Sequence, residues 1–303
     1  MSTQRTFIIG DEWLYYKIYC GPKTGDRIIS EVLAPIGAYL KQQGIIDRWF
    51  FIRYADPKTH IRGRFHIKDL NRIQIPIMLM NQHLRPFIDS ELVYKVMIDS
   101  YQREIERYGK NSIEPVEDVF HHDSAFTGSL LTQIEGDQGE KVRWLMGMRS
   151  IDALLEDFGY SLEQKFEMIT IMKDSFAREY HMNKALKGQI NNKYRADRKL
   201  IETVMNKDND SSSEYLPILQ LLNIRSESSK DAIKKILVLR DEGKLEKPLN
   251  EYMWSYLHML NNRLFKSKQR THELVIYCLL HSSYRATIGK QEAMKKKKEK
   301  VTK

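Results

Sequence analysis

The order of two repeating patterns within residues 12–101 most restricts how this chain can fold. Strand-like alternation of apolar and polar side chains occupies four segments, at 12–20, 46–54, 60–67 and 91–101. Apolar residues at helical spacing fill the two long intervals, 28–40 and 69–88. A short turn, "ADPKT", joins the second and third strands as a hairpin. The resulting βαββαβ order predicts a ferredoxin-like sheet in an α+β protein.

One strand of this predicted hairpin carries an unusual set of side chains. In "HIRGRFHI", residues 60–67, alternation puts His60, Arg62, Arg64 and His66 on one side of the sheet and apolar or small residues on the other. By itself this pattern is most simply explained as a solvated outer face. If helices cover both sides of the sheet, however, Arg62 and Arg64 would lie in an interior cleft and would need anionic partners.

Helical patterns dominate the sequence after residue 110. The candidate helices lie at 114–134, 141–158, 162–181, 189–206, 214–223, 227–242, 249–265 and 269–286. A bare sheet face with aromatic residues such as Trp49 or Phe51 would be unfavourable, so we expect this helical block to pack against the open face of the sheet. We therefore predict an α+β part at 1–110 and a helical part at 111–288.

The composition favours an intracellular globular protein and argues against several functional classes. The formal charge is +9, but the last nine residues hold six lysines and one glutamate, so most of the excess lies in a tail, 289–303, that we expect to be basic and disordered. No direct nucleic-acid role is expected. The sequence has no signal peptide and no apolar run long enough to span a membrane, and Cys20 and Cys278 fit no disulfide framework, which indicates a cytoplasmic protein.

Two further clusters have chemical potential but, taken alone, have simpler explanations. Glu104 and Arg107 are one helical turn apart and could form an ordinary surface ion pair. His258 lies in an amphipathic helix, where a histidine is more often a hydrogen-bonded structural residue than a catalyst. Neighbouring His121 and His122 point in different directions on a helix and have no spaced partners, so no metal site is expected.

The chain resembles a known family in several separated segments. The segments are "RWFFIRYADPKTHIRGRF", "REIERYG", "LHMLNNRLF" and the opening "WLYYKIYCG". They resemble the C-terminal elimination domain of class I lantibiotic dehydratases, also described as the thiopeptide-type bacteriocin biosynthesis domain, over residues 10–287. In that family a larger domain uses glutamyl-tRNA to esterify serine and threonine hydroxyls of a precursor peptide. The elimination domain then expels glutamate and leaves dehydroalanine or dehydrobutyrine.

The resemblance implies a catalytic set of five residues. Arg62 and Arg64 match the family's HxRxR motif, Glu104 and Arg107 its ExxRYG motif, and His258 its HMxxNR motif. Arginines suit the binding of carboxylates, and a histidine can move the Cα proton. Glu104 either orients an arginine or is an alternative base. The chain departs from the pattern at Lys110, where the family often has glycine.

A second departure is that no glutamylation domain is present, so the resemblance implies the stand-alone elimination half of a split dehydratase. Its implied partners are a precursor peptide and a separate tRNA-dependent glutamylation protein, with a possible homodimer. No cofactor is expected, because the sequence has no nucleotide loop or metal-ligand array. The alternatives are a related enzyme that joins two dehydroalanines by cycloaddition into a pyridine ring, and a non-catalytic scaffold that binds the precursor peptide.

Overall fold

The computed structural model of the chain describes residues 3–134, 136–206 and 214–301. The strands are β1 Thr6–Phe7, β2 Trp13–Cys20, β3 Ile46–Tyr54, β4 His60–Ile67, β5 Val93–Ile98 and β6 Tyr101–Gln102. The first helices are α1 Pro22–Arg27, a π-helical stretch Ile28–Leu33, α2 Ala34–Gln42, α3 Gln74–Asp89 and α4 Ile105–Tyr108. The remaining helices are α5 Ile113–Leu131, α6 Gly136–Asp157, α7 Leu162–Glu179, α8 Lys184–Met205, α9 Leu216–Asp241, α10 Leu249–Leu264 and α11 Gln269–Val301.

The central sheet confirms the predicted ferredoxin-like arrangement. Its strands lie in the order β3-β4-β2-β5, and every neighbouring pair is antiparallel. The sequence did not reveal β1 and β6, which form a separate two-stranded pair. β1 ends before Gly10, and Asp99 and Ser100 separate β6 from β5. These limits leave β1 and β6 too short to give a clear alternating pattern.

The apolar face of the sheet packs against α2 and the π-helical stretch before it. Trp49 pairs with Phe65, and Phe51 pairs with Gly63, so both aromatic residues lie on this face. The helix approaches closely because residue 37 is glycine: a Cβ atom there would lie 2.4 Å from Nε1 of Trp49. The expectation that Trp49 and Phe51 belong to the open face is therefore wrong, since alternation places Phe50 there instead.

The helical block covers the sheet mainly along its β3 edge, where side chains satisfy the outward backbone groups. The N–H of Phe51 donates to Oγ of Ser124 at 3.2 Å, and the N–H of Arg53 donates to Oδ1 of Asn262 at 2.9 Å. The amide Nδ2 of Asn262 also donates to the carbonyl of Arg53 at 2.9 Å. Helices α5 and α10 thus protect an edge strand that would otherwise be free to pair with another chain.

The predicted cover over the open face is only partial. At one end, Phe120 of α5 packs against Phe50, and Tyr101 of β6 packs against both Phe50 and Trp13. At the hairpin end, Tyr54 keeps 40% of its surface exposed. The helical block is positioned more by its hydrogen bonds to the β3 edge than by packing on the sheet face. On the side away from β4, no described strand pairs with β3, so its outward N–H and C=O groups need other partners.

Two predicted features of the helical part differ in the structure. The expected break at "IRSESS" is absent, since α9 is continuous through it and its serines lie within the helix. The expected disordered tail, 289–303, is helical as far as Val301, because α11 continues into a lysine-rich sequence that forms helix well. The predicted break at 206–214 falls largely on residues outside the described ranges. The proposed division at residue 110 stays a prediction.

Candidate active site

Arg64 lies at the covered end of the open face, inside a box of aromatic rings. Strand alternation points its side chain to this face, where its guanidinium carbon lies 4.5 Å from the ring centre of Tyr15, 5.1 Å from Phe50 and 4.8 Å from Tyr101. Only 6% of the residue is exposed. Within the described residues its Nε and Nη1 atoms have no hydrogen-bond partner. The box therefore holds a buried cation with unused donors, which is unfavourable unless an anion binds there.

The wall of this box is fixed by a buried ion pair. Glu117 of α5 accepts hydrogen bonds from Arg103 at 2.7 and 2.8 Å, and from the hydroxyl of Tyr101 at 2.9 Å. Burial raises the pKa of Tyr101, so the phenol stays protonated and donates. The bidentate pair of Arg103 and Glu117 fixes the carboxylate, and the carboxylate in turn holds the ring of Tyr101 over Arg64.

Arg62 lies beside Arg64 on the same face but nearer the exposed end. Its guanidinium carbon is 3.5 Å from the ring centre of Tyr54, and its Nε donates to Nε2 of His60 at 3.0 Å. The other ring nitrogen of His60 lies 2.7 Å from the carbonyl of Lys58. Burial lowers the pKa of His60, so its neutral ring can donate through Nδ1 and accept from Arg62. The fourth polar residue of this strand face, His66, pairs with Asp47 instead and supports the fold.

A cavity of about 390 Å³ lies between α4, α7, α10 and α11. Its lining residues include Arg107, Arg178, Trp254, His258, Arg270 and Glu273. Three guanidinium groups and one imidazole thus meet around a single space. The carboxylates of Glu251 and Glu273 also line the cavity, and Glu273 pairs with His258, so the arginines outnumber the acidic groups and favour ligands that carry carboxylates.

His258 is oriented in this cavity by a carboxylate that sequence analysis missed. Its Nδ1 lies 3.0 and 3.2 Å from the two carboxylate oxygens of Glu273, whose side chain is fully buried. The hydroxyl of Tyr277 donates to the same carboxylate at 3.3 Å. This arrangement places the proton on Nδ1 and leaves Nε2 as the nitrogen that can accept a proton. His258 and Glu273 lie in different helices and are separated by much more than one helical turn of sequence. Only the packing of α10 on α11 therefore reveals that they form a pair.

Glu104 and Arg107 form the ion pair that their spacing predicts. Nη1 of Arg107 lies 3.0 Å from Oε2 of Glu104, and both side chains are about half exposed, at 45% and 56%. Arg107 also lines the cavity, whereas Glu104 does not. An exposed pair of this kind adds little to stability. The fact that Arg107 lines the same cavity as His258 is therefore better evidence for a functional role than the strength of the ion pair.

The structure thus separates the five predicted residues into two neighbouring clusters. Arg107 and His258 share the cavity, with Glu104 paired to Arg107, while Arg62 and Arg64 lie on the sheet face and do not line it. A wall of rings connects the two: Phe50 contacts Phe120, which contacts Tyr108, the residue after Arg107. The sequence motifs identified the five residues but did not reveal that they fall into two clusters.

Other candidate sites are less organised. In the described ranges, no group of three or more histidine, cysteine, aspartate and glutamate side chains could hold a metal ion. His121 is buried, with Nδ1 at 3.0 Å from the carbonyl of Trp49, and burial lowers its pKa to about 3. None of the helices, over the same described residues, is both long and apolar enough to cross a membrane.

The fold and these motifs together describe an α+β domain whose family the sequence comparison identifies. Residues 13–284 match the family described as "Lantibiotic biosynthesis dehydratase C-term", and the chain belongs to that family. It is 26% identical to the subtilin biosynthesis protein SpaB of Bacillus subtilis over 283 residues, covering 90% of this chain and 26% of that protein. It is also 26% identical to the nisin biosynthesis protein NisB of Lactococcus lactis subsp. lactis, covering 89% of this chain and 25% of NisB. The chain thus spans about a quarter of the length of these curated relatives.

Solved structures share the fold. The tRNA-dependent lantibiotic dehydratase MibB from Microbispora sp. 107891 superposes with a TM-score of 0.68 at 20% identity, over 93% of this chain and 29% of MibB. TbtD, the pyridine synthase from thiomuracin biosynthesis, superposes with a TM-score of 0.60 at 12% identity, over 92% of this chain and 99% of TbtD. Because dehydratase and pyridine synthase have one fold, function must be argued from the site.

Proposed function

We propose that this chain removes glutamate from glutamylated serine and threonine residues of a precursor peptide, giving dehydroalanine and dehydrobutyrine. The observation that carries the proposal is the cavity in which His258, held by buried Glu273, faces Arg107, Arg178 and Arg270. Family membership supports a role in lantibiotic dehydration, and the identity with SpaB and NisB, both lantibiotic biosynthesis proteins, supports it further.

The proposed reaction uses the free nitrogen of His258. Nε2 accepts the Cα proton of the esterified residue, and the electron pair of that C–H bond forms the Cα=Cβ double bond. The Cβ–O bond breaks, and glutamate leaves with its electron pair as a carboxylate. The negative charge of Glu273 stabilises the imidazolium that His258 becomes, as a carboxylate does for an oriented catalytic histidine.

The arginines are proposed to bind the departing anion. Guanidinium groups stay charged at physiological pH and can hold a carboxylate through two hydrogen bonds. Arg178 lines the cavity, Arg107 can contribute the donors that its pair with Glu104 leaves unused, and Arg270, which already donates to Glu179 through Nε and Nη2, adds positive charge. The unpartnered donors of Arg64 suit a second anionic or carbonyl group on the sheet side of the aromatic wall. Glu104 orients Arg107. We further propose that a tRNA-dependent glutamylation activity supplies the esterified peptide.

Mass spectrometry of a precursor peptide with glutamylated serine tests the proposal. Wild type should release glutamate and leave a dehydro residue, whereas His258→Ala and Arg64→Ala should leave the ester intact. His83→Ala and Arg85→Ala, on helix α3, which contributes no residue to the cavity lining, are matched controls that should retain activity. If folded wild type leaves a competent ester unchanged but joins two dehydroalanines in a second peptide, the pyridine-forming alternative replaces the proposal.

A further inference from the structure

The two edges of the central sheet are treated differently by the rest of the molecule. Side chains of α5 and α10 satisfy the outward backbone groups of β3, as described above. At the opposite edge, β2 is the only strand of the described residues that pairs with β5. An unprotected edge strand is a ready template for another strand, so natural proteins usually block it.

The register identifies the free groups of β5. The N–H of Asp99 donates to the carbonyl of Tyr15 at 3.0 Å, and the pairing continues through Met97 opposite Lys17. Hydrogen-bonded and non-hydrogen-bonded pairs alternate in an antiparallel ladder, so the N–H and C=O groups of Val96 and Ile98 point away from β2. In the part of the chain that the structure describes, no hydrogen bond reaches these groups.

The face beside this free edge is positively charged. Lys95 of β5 lies opposite Tyr19, and Lys17 of β2 lies between Met97 and Arg62 in one row across the sheet. The ammonium group of Lys58 lies 5.6 Å from the ring centre of the exposed Tyr94. Asp99 pairs with Lys17 and offsets part of this charge.

We propose that β5 is the docking strand for an extended segment of the glutamylated precursor peptide, which adds to the sheet antiparallel to β5, as every neighbouring pair in the sheet does. The identity of this occupant rests on the proposed function. Charge favours the peptide over a second copy of the chain. Two copies paired through β5 would bring Lys17, Lys95 and Arg62 of each copy close to those of the other, whereas a peptide bearing carboxylates complements these positive charges.

Strand addition also suits a substrate with several reacting positions. Its affinity comes from backbone groups, which every residue offers, so different serine and threonine residues can be presented in turn. A strand beside β5 would lie three strand spacings, about 14 Å, from β4. The edge therefore anchors the peptide, while a neighbouring part of it reaches the arginines.

Backbone methylation of the peptide tests this docking without altering the protein. The probe is a fluorescein-labelled extended peptide of threonine and valine with one glutamylated serine, made in two versions N-methylated at alternate residues in opposite phases. In an added strand, alternate N–H groups face β5, and each hydrogen bond is worth about a fivefold change in affinity. Loss of two such bonds should therefore weaken binding, measured by fluorescence anisotropy, about 25-fold in one phase, and the other phase should leave binding unchanged.

A protein variant gives an independent readout. Val96→Pro removes an outward N–H and leaves the β2–β5 ladder intact, which edge strands tolerate. Val96→Pro should raise KM for the extended glutamylated peptide and leave kcat unchanged. Ile98→Lys is a second edge variant, with Met78→Lys on the exposed side of α3 as its control.

Three results would overturn the docking proposal: equal effects of the two methylation phases, unchanged KM in both edge variants, or a wild-type dimer that Val96→Pro dissociates. The last result would assign the edge to a second copy. If only one methylation phase weakens binding but wild type releases no glutamate, the docking proposal stands and only the proposed function is contradicted.

Discussion

Replacing Glu273 by glutamine tests whether a buried carboxylate positions the proposed base. Glutamine keeps the size of the side chain but removes its charge and can also hydrogen bond through its amide N–H. In the structure, Nδ1 of His258 lies 3.0 Å from one carboxylate oxygen, and the side chain of Glu273 is fully buried. A charge-assisted hydrogen bond of this kind is worth about 1.5 to 3 kcal/mol, which corresponds to a rate loss of about 10- to 150-fold.

Single-turnover release of glutamate, followed by mass spectrometry, measures this loss. We expect kcat to fall in Glu273→Gln with little change in KM, since the carboxylate contacts the imidazole and not the substrate. Glu273→Asp should recover part of the rate. In a His258→Ala background the glutamine substitution should have no further effect, because the two residues act as a unit.

Stability must be measured in parallel. Circular dichroism and urea denaturation would show whether Glu273→Gln remains folded. A folded Glu273→Gln variant with a rate within twofold of wild type would refute the reasoning, and so would equal losses from the glutamine substitution with and without His258.

The remaining predictions concern burial and charge. Arg64→Met should abolish elimination yet raise the unfolding free energy by about 1 to 3 kcal/mol, since it removes a buried cation with unpartnered donors; a destabilised variant in urea denaturation would contradict this. Glu117→Gln should lower the unfolding free energy by about 3 to 5 kcal/mol because Arg103 would lose its buried partner, and an unchanged thermal midpoint would show that the pair contributes little. His121 has a folded pKa of about 3 and an unfolded pKa of about 6.5, so its contribution to stability is complete above about pH 6.5 and falls by about 1.4 kcal/mol per unit as the pH drops toward 3. His121→Gln should therefore flatten the pH dependence of urea denaturation over this range, and an unaltered slope would exclude His121 as its source.

The sequence determined the βαββαβ order and five residues of the candidate site, but not Glu273, Arg178 or Arg270. Strand alternation is a local property, so it correctly placed Arg62 and Arg64 on one face and Gly63 on the other. Spacing of one helical turn likewise gave the ion pair of Glu104 and Arg107. The resemblance to a known family singled out His258, which spacing alone could not.

Tertiary structure decided which of these residues meet. Glu273 reaches His258 because α10 packs beside α11, and no periodicity within either helix encodes that contact. Packing also chose the β3 edge for the helical block and left β5 open, since the side chains that cap β3 come from distant parts of the chain, as with Ser124 and Asn262. Local patterns fix the direction of a side chain relative to its own strand or helix, but the partner it finds depends on how those elements pack together.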